Sequence, residues 1–139
     1  MFEGASAAIV TPFRGGAVDV PALRGLARHL VEGGLDGIVV VGSTGEGATL
    51  TPEERRRVME VVLEEAAGRA FVVAGTGTNS TEQSIQLSRD ARAAGMQGVM
   101  LVTPYYNKPT QEGLARHYEA VARAVDLPII IYNVPGRTG

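Results

Sequence analysis

An α/β fold on a parallel sheet is predicted by three observations. Short β-branched runs recur roughly every 30 residues, the length of a strand plus its crossover helix. Those runs are continuously apolar rather than alternating, as in strands buried on both faces. Between them lie segments of helical period with readable starts and stops.

The first run, residues 7–10 (Ala-Ala-Ile-Val), precedes a helix whose stripe is Leu23, Leu26, Ala27, Leu30 and Val31. Asp19 is its expected N-cap and Gly33-Gly34 its stop. The second run, residues 37–41, leads to the helix with the clearest start. Thr51 is the N-cap, Pro52 takes N1, Glu54 at N3 completes a capping box, and Gly68 is the stop. The third run, residues 70–74, precedes a helix opened by a second box from Ser80 to Gln83 and ended near Gly95. The fourth, residues 98–102, precedes a helix that starts at Thr110 and carries the stripe Leu114, Tyr118, Val121, Ala122 and Val125. Residues 128–131 form the last run, so five parallel strands separated by four helices are expected.

Two architectures fit this alternation, a (β/α)8 TIM barrel and an open doubly wound sheet, and periodicity leaves both open. A barrel needs roughly 250 residues. The 139 residues here would supply about half of one, cut where the loop after a fifth strand should pass into a helix.

Composition narrows the function. A formal net charge of −2 gives no basic footprint for nucleic acid or an anionic membrane. No cysteine is present, so there is no disulfide framework, thiolate nucleophile or thiolate metal ligand. Met1-Phe2-Glu3-Gly4 does not read as a signal peptide, and no apolar run approaches the length of a membrane span. The expected setting is cytoplasmic, with small-molecule substrates and no nucleic-acid or membrane partner. Among the thirteen basic residues only Lys108 is a lysine.

In both architectures the working face lies at the carboxyl ends of the strands. There the sequence places Thr11-Pro12-Phe13, Gly42-Ser43-Thr44-Gly45-Glu46-Gly47, Gly75-Thr76-Gly77-Thr78-Asn79, residues 103–109 with Tyr105 and Tyr106, and Tyr132-Asn133-Val134-Pro135-Gly136-Arg137. His29 and His117 fall inside amphipathic helices and read as surface residues, so neither supplies a metal site. The Gly42-Ser43-Thr44-Gly45 turn lacks the lysine of a P-loop, and Ser80 stands where a dinucleotide fingerprint would need its third glycine. Ser43 is not in a Gly-x-Ser-x-Gly elbow. What remains is a glycine-bounded Ser-Thr turn able to hold a small carboxylate. Beside it stand tyrosines able to pass protons and an arginine able to grip a second carboxylate bidentately. A carboxylate substrate is expected, with no metal and no cofactor.

Three stretches carry a family resemblance: Gly42-Ser43-Thr44-Gly45-Glu46, residues 102–109 (Val-Thr-Pro-Tyr-Tyr-Asn-Lys-Pro) and residues 132–139 (Tyr-Asn-Val-Pro-Gly-Arg-Thr-Gly). In order and spacing they resemble the signatures of the dihydrodipicolinate synthase family over the whole chain. The resemblance implies a (β/α)8 barrel, a Schiff-base lyase that condenses pyruvate with L-aspartate-4-semialdehyde to 4-hydroxy-tetrahydrodipicolinate on the diaminopimelate route to lysine. It implies that Tyr132 donates and accepts the proton beside the Schiff base, and that Thr44 binds the pyruvate carboxylate. Ser43 and Tyr106 would complete a proton relay, with Tyr106 reaching into a neighbouring subunit, and Arg137 would bind the semialdehyde carboxylate. Ser43 replaces the family's usual threonine but keeps a hydroxyl. A homo-oligomer, commonly a tetramer, follows from the same resemblance.

On that resemblance residues 1–139 are the N-terminal half of one barrel domain, and the Schiff-base lysine belongs to the sixth barrel strand, beyond Gly139. Lys108, in a loop between Asn107 and Pro109, is read as a solvated surface residue, so the 139-residue chain is expected to be inert by itself. Family members inhibited by lysine hold it with acidic and histidine side chains near the second and third helix starts. Pro52, Arg55 and Gln83 stand there instead, beside retained Asn79 and Tyr105, so weak or absent inhibition is expected. The competing readings are an N-acetylneuraminate lyase or keto-deoxy-sugar aldolase of the same superfamily, and a non-catalytic half-barrel module. Arg137 and the Tyr105-Tyr106 pair favour the synthase.

Overall fold

A computed structural model describes residues 2–139. In chain order its elements are β1 (Ser6–Ala8), β2 (Phe13–Arg14), β3 (Ala17–Val18), α1 (Val20–Glu32), β4 (Gly37–Val40), α2 (Pro52–Ala66), β5 (Phe71–Gly75), α3 (Thr81–Ala93), β6 (Gly98–Val102), α4 (Gln111–Ala124), β7 (Ile129–Tyr132) and α5 (Pro135–Thr138). The five predicted strands are β1, β4, β5, β6 and β7. They form one parallel sheet in that order, with Ser6 beside Gly37, Gly37 beside Phe71, Val73 beside Gly98 and Val99 beside Ile129.

The order decides between the two architectures. A doubly wound sheet reverses direction at a switch point, whereas here each strand lies beside its predecessor, as strands do around a barrel. The helices pack in the same succession, α1 on α2, α2 on α3 and α3 on α4. Burial follows from position in the sheet. All four residues of β4 are buried and none of β7 is. Leu23, Ile38, Val40, Val58, Val62 and Val72 make the main core, and Leu101, Val121 and Val125 a smaller one beneath α4. Each such side chain contributes about 1.5–3 kcal/mol when buried. At the amino ends of the strands, the Phe2 and Phe71 rings lie 4.6 Å apart. They occupy the space that side chains at Gly98 and Gly37 would need.

The helix starts follow the chemistry that predicted them. Thr51 accepts from the Glu54 amide at 3.2 Å and Glu54 returns the bond to the Thr51 amide at 2.9 Å. Asp19 caps α1 through the Ala22 amide at 3.1 Å. Ser80 caps α3 only one way, accepting from the Gln83 amide at 3.3 Å. α2 stops one residue before its expected glycine, because Ala67 already adopts φ 46° ahead of Gly68 at φ 74°.

Other elements depart from expectation. The segment after β1 forms a hairpin, β2 against β3, closed by Gly15 and Gly16 at φ 61° and 82°. A two-residue turn with both φ positive is the Gly-Gly signal for a hairpin. Its Arg14 pairs with the capping Asp19 at 2.7 Å, which ties the hairpin to the start of α1. The loop after β7 passes into a single helical turn, α5, as the end of the sequence predicts. Ala122 of the predicted α4 stripe is exposed.

His117 corrects a sequence reading. His29 is exposed as expected, but His117 is buried on the inner face of α4, one turn before Val121. Its Nδ1 lies 2.9 Å from the Thr81 hydroxyl at the start of α3, its ring meets Tyr118 edge-on, and its Nε2 is buried without a partner. Burial pushes its pKa below the ordinary histidine value.

Two predictions follow from this packing. Because the folded pKa is depressed, the unfolded chain takes up the His117 proton first as pH falls. Stability contributed by the neutral ring is therefore complete above about pH 6.5 and lost below it, toward the folded pKa. Denaturant midpoints at pH 7 and pH 5 should show a larger loss for the wild-type chain than for His117→Gln, and equal losses would refute the assignment. The sheet also ends on exposed apolar edges, with Val10 just past β1 47% exposed and Ile131 on β7 57% exposed. Open edges of this kind pair with other chains. Light scattering on the isolated chain should give a mass that rises with concentration and falls on Ile131→Lys; a concentration-independent monomer would contradict this.

Candidate active site

β4 ends at Val40, and the next seven residues fold back so that Ser43 and Thr44 line a cleft at the carboxyl edge of the sheet. Val41 at φ 48° and Glu46 at φ 54° both lie in the left-handed region. Such conformations cost about 1–3 kcal/mol each and persist only when their surroundings hold them. Here the Gly47 amide donates to the Gly42 carbonyl at 3.0 Å, and the Glu46 amide to the Ser43 carbonyl at 3.1 Å. The buried Thr11 hydroxyl donates to the Gly45 carbonyl at 2.7 Å. The turn presses so closely on its neighbours that a Cβ on Gly47 would lie 1.9 Å from the Val41 carbonyl oxygen, and one on Gly75 would lie 2.7 Å from the Gly42 Cα.

The cleft measures about 970 Å3, and Ser43, Thr44, Tyr105, Tyr132, Val134 and Arg137 line it together with Arg55. Tyr132 arrives as the last residue of β7. Its backbone carbonyl accepts from the Thr103 amide at 2.9 Å, and the Thr103 hydroxyl is 2.8 Å from that of Tyr118. The Tyr132 ring remains 41% exposed. Arg137 stands on α5, whose turn is fixed by the buried Thr138 hydroxyl donating to Asn133 Oδ1 at 2.7 Å. No carboxylate lies within ion-pair distance of Arg137 among the described residues.

Of the five residues proposed from sequence, Ser43, Thr44, Tyr132 and Arg137 therefore share one cleft. Tyr106 does not. It is 90% exposed at φ 72°, while its neighbour Tyr105 lines the cleft. Lys108 is an exposed loop residue and does not line the cleft. Among the described residues no group of three or more His, Cys, Asp or Glu is placed to hold a metal ion, and no helix is long and apolar enough to cross a membrane.

Arg55 was singled out by sequence only for its place near the second helix start. In the structure it is buried on α2, its Nη1 donating to the Gly47 carbonyl at 2.6 Å and its Nη2 to the Gly75 carbonyl at 2.7 Å. A signal for this existed. Three consecutive arginines, Arg55, Arg56 and Arg57, lie about 100° apart around a helix and cannot all face water. Arg55 shares its face with the buried Val58, Met59 and Val62. A second undetected feature lies under the loop after β5. Thr76 and Ser88 hydroxyls are 2.9 Å apart, and Ser84 Oγ accepts from the Thr78 amide at 2.9 Å. Buried serines on α3 thus stand on its inner face and hold this loop by hydrogen bonds.

The arrangement offers donors for a small carboxylate at the Ser43-Thr44 turn, a phenol beside it, and an unpaired guanidinium for a second anion. It offers no amine.

Comparison with known proteins finds the same segment elsewhere. The profile of the Dihydrodipicolinate synthetase family matches residues 1–139. A 4-hydroxy-tetrahydrodipicolinate synthase of Trichlorobacter lovleyi is 57% identical over 139 residues, which is all of this chain and 48% of that protein. A dihydrodipicolinate synthase of Acinetobacter baumannii, solved in complex with pyruvate, superposes with a TM-score of 0.96 at 49% identity over 100% of this chain and 48% of that one. One from Cyanidioschyzon merolae, solved with lysine bound, superposes with a TM-score of 0.94 at 46% identity over 99% and 48%. The chain spans about half the length of the curated relatives it matches. Its sheet and helices match the N-terminal half of their barrel.

Proposed function

Because the chain belongs to the dihydrodipicolinate synthetase family, we propose that residues 1–139 are the N-terminal half of a single (β/α)8 barrel enzyme. That enzyme condenses pyruvate with L-aspartate-4-semialdehyde to 4-hydroxy-tetrahydrodipicolinate through a Schiff base. The observation that carries the reading is the convergence of Ser43, Thr44, Tyr132 and Arg137, from two stretches of sequence almost ninety residues apart, on one cleft.

In this reading Thr44 and the turn amides receive the pyruvate carboxylate, where charge-assisted hydrogen bonds to a carboxylate are strongest. Tyr132 stands beside the ketone carbon and carries protons to and from it. Ser43 passes those protons toward Tyr106, which acts in the cleft of a neighbouring subunit; its 90% exposure and its absence from its own cleft support that placement. Arg137 holds the carboxylate of the semialdehyde by its planar fork. The reading carries with it a homo-oligomer, a tetramer by family habit, and a cytoplasmic setting. Arg137 argues against a sugar lyase, which has no amino-acid-like carboxylate to hold.

A Schiff base needs an amine desolvated enough to lose its proton near neutral pH. Exposed Lys108 does not meet that need, so the 139-residue chain is inert by itself in this reading and the nucleophile is supplied by the remainder of a family-length chain.

The test treats both lengths of chain with pyruvate and borohydride and weighs the products. The family-length chain should gain one pyruvate-sized adduct on a lysine outside residues 1–139, and should turn over aspartate semialdehyde but not sialic acid. The 139-residue chain should gain none. An adduct at Lys108 would overturn the proposed inertness, and turnover of sialic acid alone would favour the lyase.

Lysine sensitivity is a separate consequence. A guanidinium at position 55, with Pro52 and Gln83 beside it along the cleft, leaves no carboxylate or imidazole there to hold an ammonium group. The family-length enzyme should keep most of its activity in millimolar lysine; half-inhibition at micromolar lysine would contradict the reading.

A further inference from the structure

Arg55 is a buried charge without an ion-pair partner, and Asp90 attracts it only from beyond ion-pair distance. Of the other buried ionisable groups, Asp19 is paired with Arg14 and His117 is a weak base that burial keeps neutral. The ion pairs among the described residues involve Arg14, Arg24, Arg28, Arg56, Arg57, Arg116 and Arg123, and Arg55 takes part in none. Burial of an unpaired charge is costly, and an apolar side chain beside Val58, Met59 and Val62 would escape that cost. What the guanidinium does instead is span two backbone carbonyls, those of Gly47 and Gly75, at 2.6 and 2.7 Å.

Those two carbonyls are special in this fold. Gly47 closes the strained turn that displays Ser43 and Thr44, through its own amide bond to the Gly42 carbonyl at 3.0 Å. Gly75 is the last residue of β5, the strand against which the turn leans. A planar fork with donors at fixed separation sets the distance between them in a way that a flexible, single-headed ammonium cannot.

We propose that Arg55 is a positioning residue for substrate binding: it staples the Ser43-Thr44 turn to the end of β5 and gives the neighbourhood of that turn a positive charge that no ion pair neutralises. The turn is thereby preset to receive the carboxylate of a 2-oxo acid. This inference rests on the turn being the carboxylate seat, as argued above. Arg55 acts through the turn; Thr44 makes the contact.

The test uses a family-length chain carrying these residues, in four forms: wild type, Arg55→Met, Thr44→Val and the double variant, with Arg55→Lys as a fifth. Loss of two charge-assisted bonds should raise the pyruvate KM of Arg55→Met about tenfold while kcat stays within about threefold. Arg55→Lys should fall between wild type and Arg55→Met, since it keeps the charge but grips one carbonyl at a time. In the Thr44→Val background the same Arg55→Met change should cost about threefold or less, because the group it positions is already gone. A merely structural role would lower the amount of active enzyme without moving KM, and would multiply fully with Thr44→Val. An unchanged pyruvate KM in Arg55→Met overturns the proposal, as does full multiplicativity. Should Arg55→Met fail to fold, an Arg55→Lys enzyme with wild-type KM overturns it equally. A wild-type enzyme that turns over pyruvate while the variants match it removes this role alone; a wild-type enzyme that binds no pyruvate removes the carboxylate seat as well.

Discussion

The carboxyl edge of the sheet is organised by the contact between Gly42 and Gly75, where not even a methyl group fits. Adjacent parallel strands normally keep their backbones about 4.8 Å apart, with side chains above and below. Past the last ladder bond, the chain leaving β4 collapses onto the end of β5, and Val41 must enter the left-handed region to let it do so. That strain is matched by bonds reaching in from three directions: Thr11 after β1, Arg55 on α2, and the turn's own amides. The Ser43 and Thr44 hydroxyls therefore sit on backbone that has little freedom left to lose when a ligand arrives. A pre-set site of this kind binds without the ordering cost that a flexible loop incurs.

The rest of the molecule supports that edge and takes little part in it. Sequential strand order leaves the carboxyl ends of β4, β5, β6 and β7 side by side, so residues from separate stretches of sequence converge without any long loop. The opposite edge is closed by the Phe2 and Phe71 rings. Polar groups collect at one end and aromatic packing at the other, which is the division of labour that barrel strands impose.

Much of this was legible in the sequence. The strands were placed within two residues at each end because each is a short apolar run bounded by glycine or polar residues, and Thr51, Asp19 and Thr110 cap the helices they were expected to cap. Ser43, Thr44, Tyr132 and Arg137 could be found because they lie at or within five residues of the carboxyl ends of strands, the edge where the cleft forms. Most misreadings concern polar groups on helices, or turns too short to carry a period. His117 was assigned by residue type and Arg55 only by its place near a helix start, yet each faces inward at helical spacing from buried valines, and position on the helix decided burial. Ser84 and Ser88 hide a core face that hydropathy cannot show, since their burial is repaid in hydrogen bonds to the loop above. The β2–β3 hairpin was announced by Gly15-Gly16 but flanked by strands of only two residues, too short for alternation to register.

Tyr106 shows how far a single chain can be read. Its backbone sits at φ 72°, a conformation a bulky residue adopts only under constraint, and its ring is 90% in water, where it gains no packing. Both features are unfavourable for an isolated molecule, and neither serves the cleft in its own chain. The adjacent Tyr105 faces the cleft, and Asn107 donates to the Asn79 carbonyl at 3.2 Å, so the loop around Tyr106 is held in place while Tyr106 itself is displayed. An ordered loop that presents an aromatic hydroxyl outward is consistent with the proposed action of Tyr106 in a neighbouring cleft. The proposed relay gives Tyr106 that use, because a proton that leaves Tyr132 toward Ser43 needs a further acceptor, and a phenol displayed away from its own cleft is free to serve as one in a neighbouring cleft.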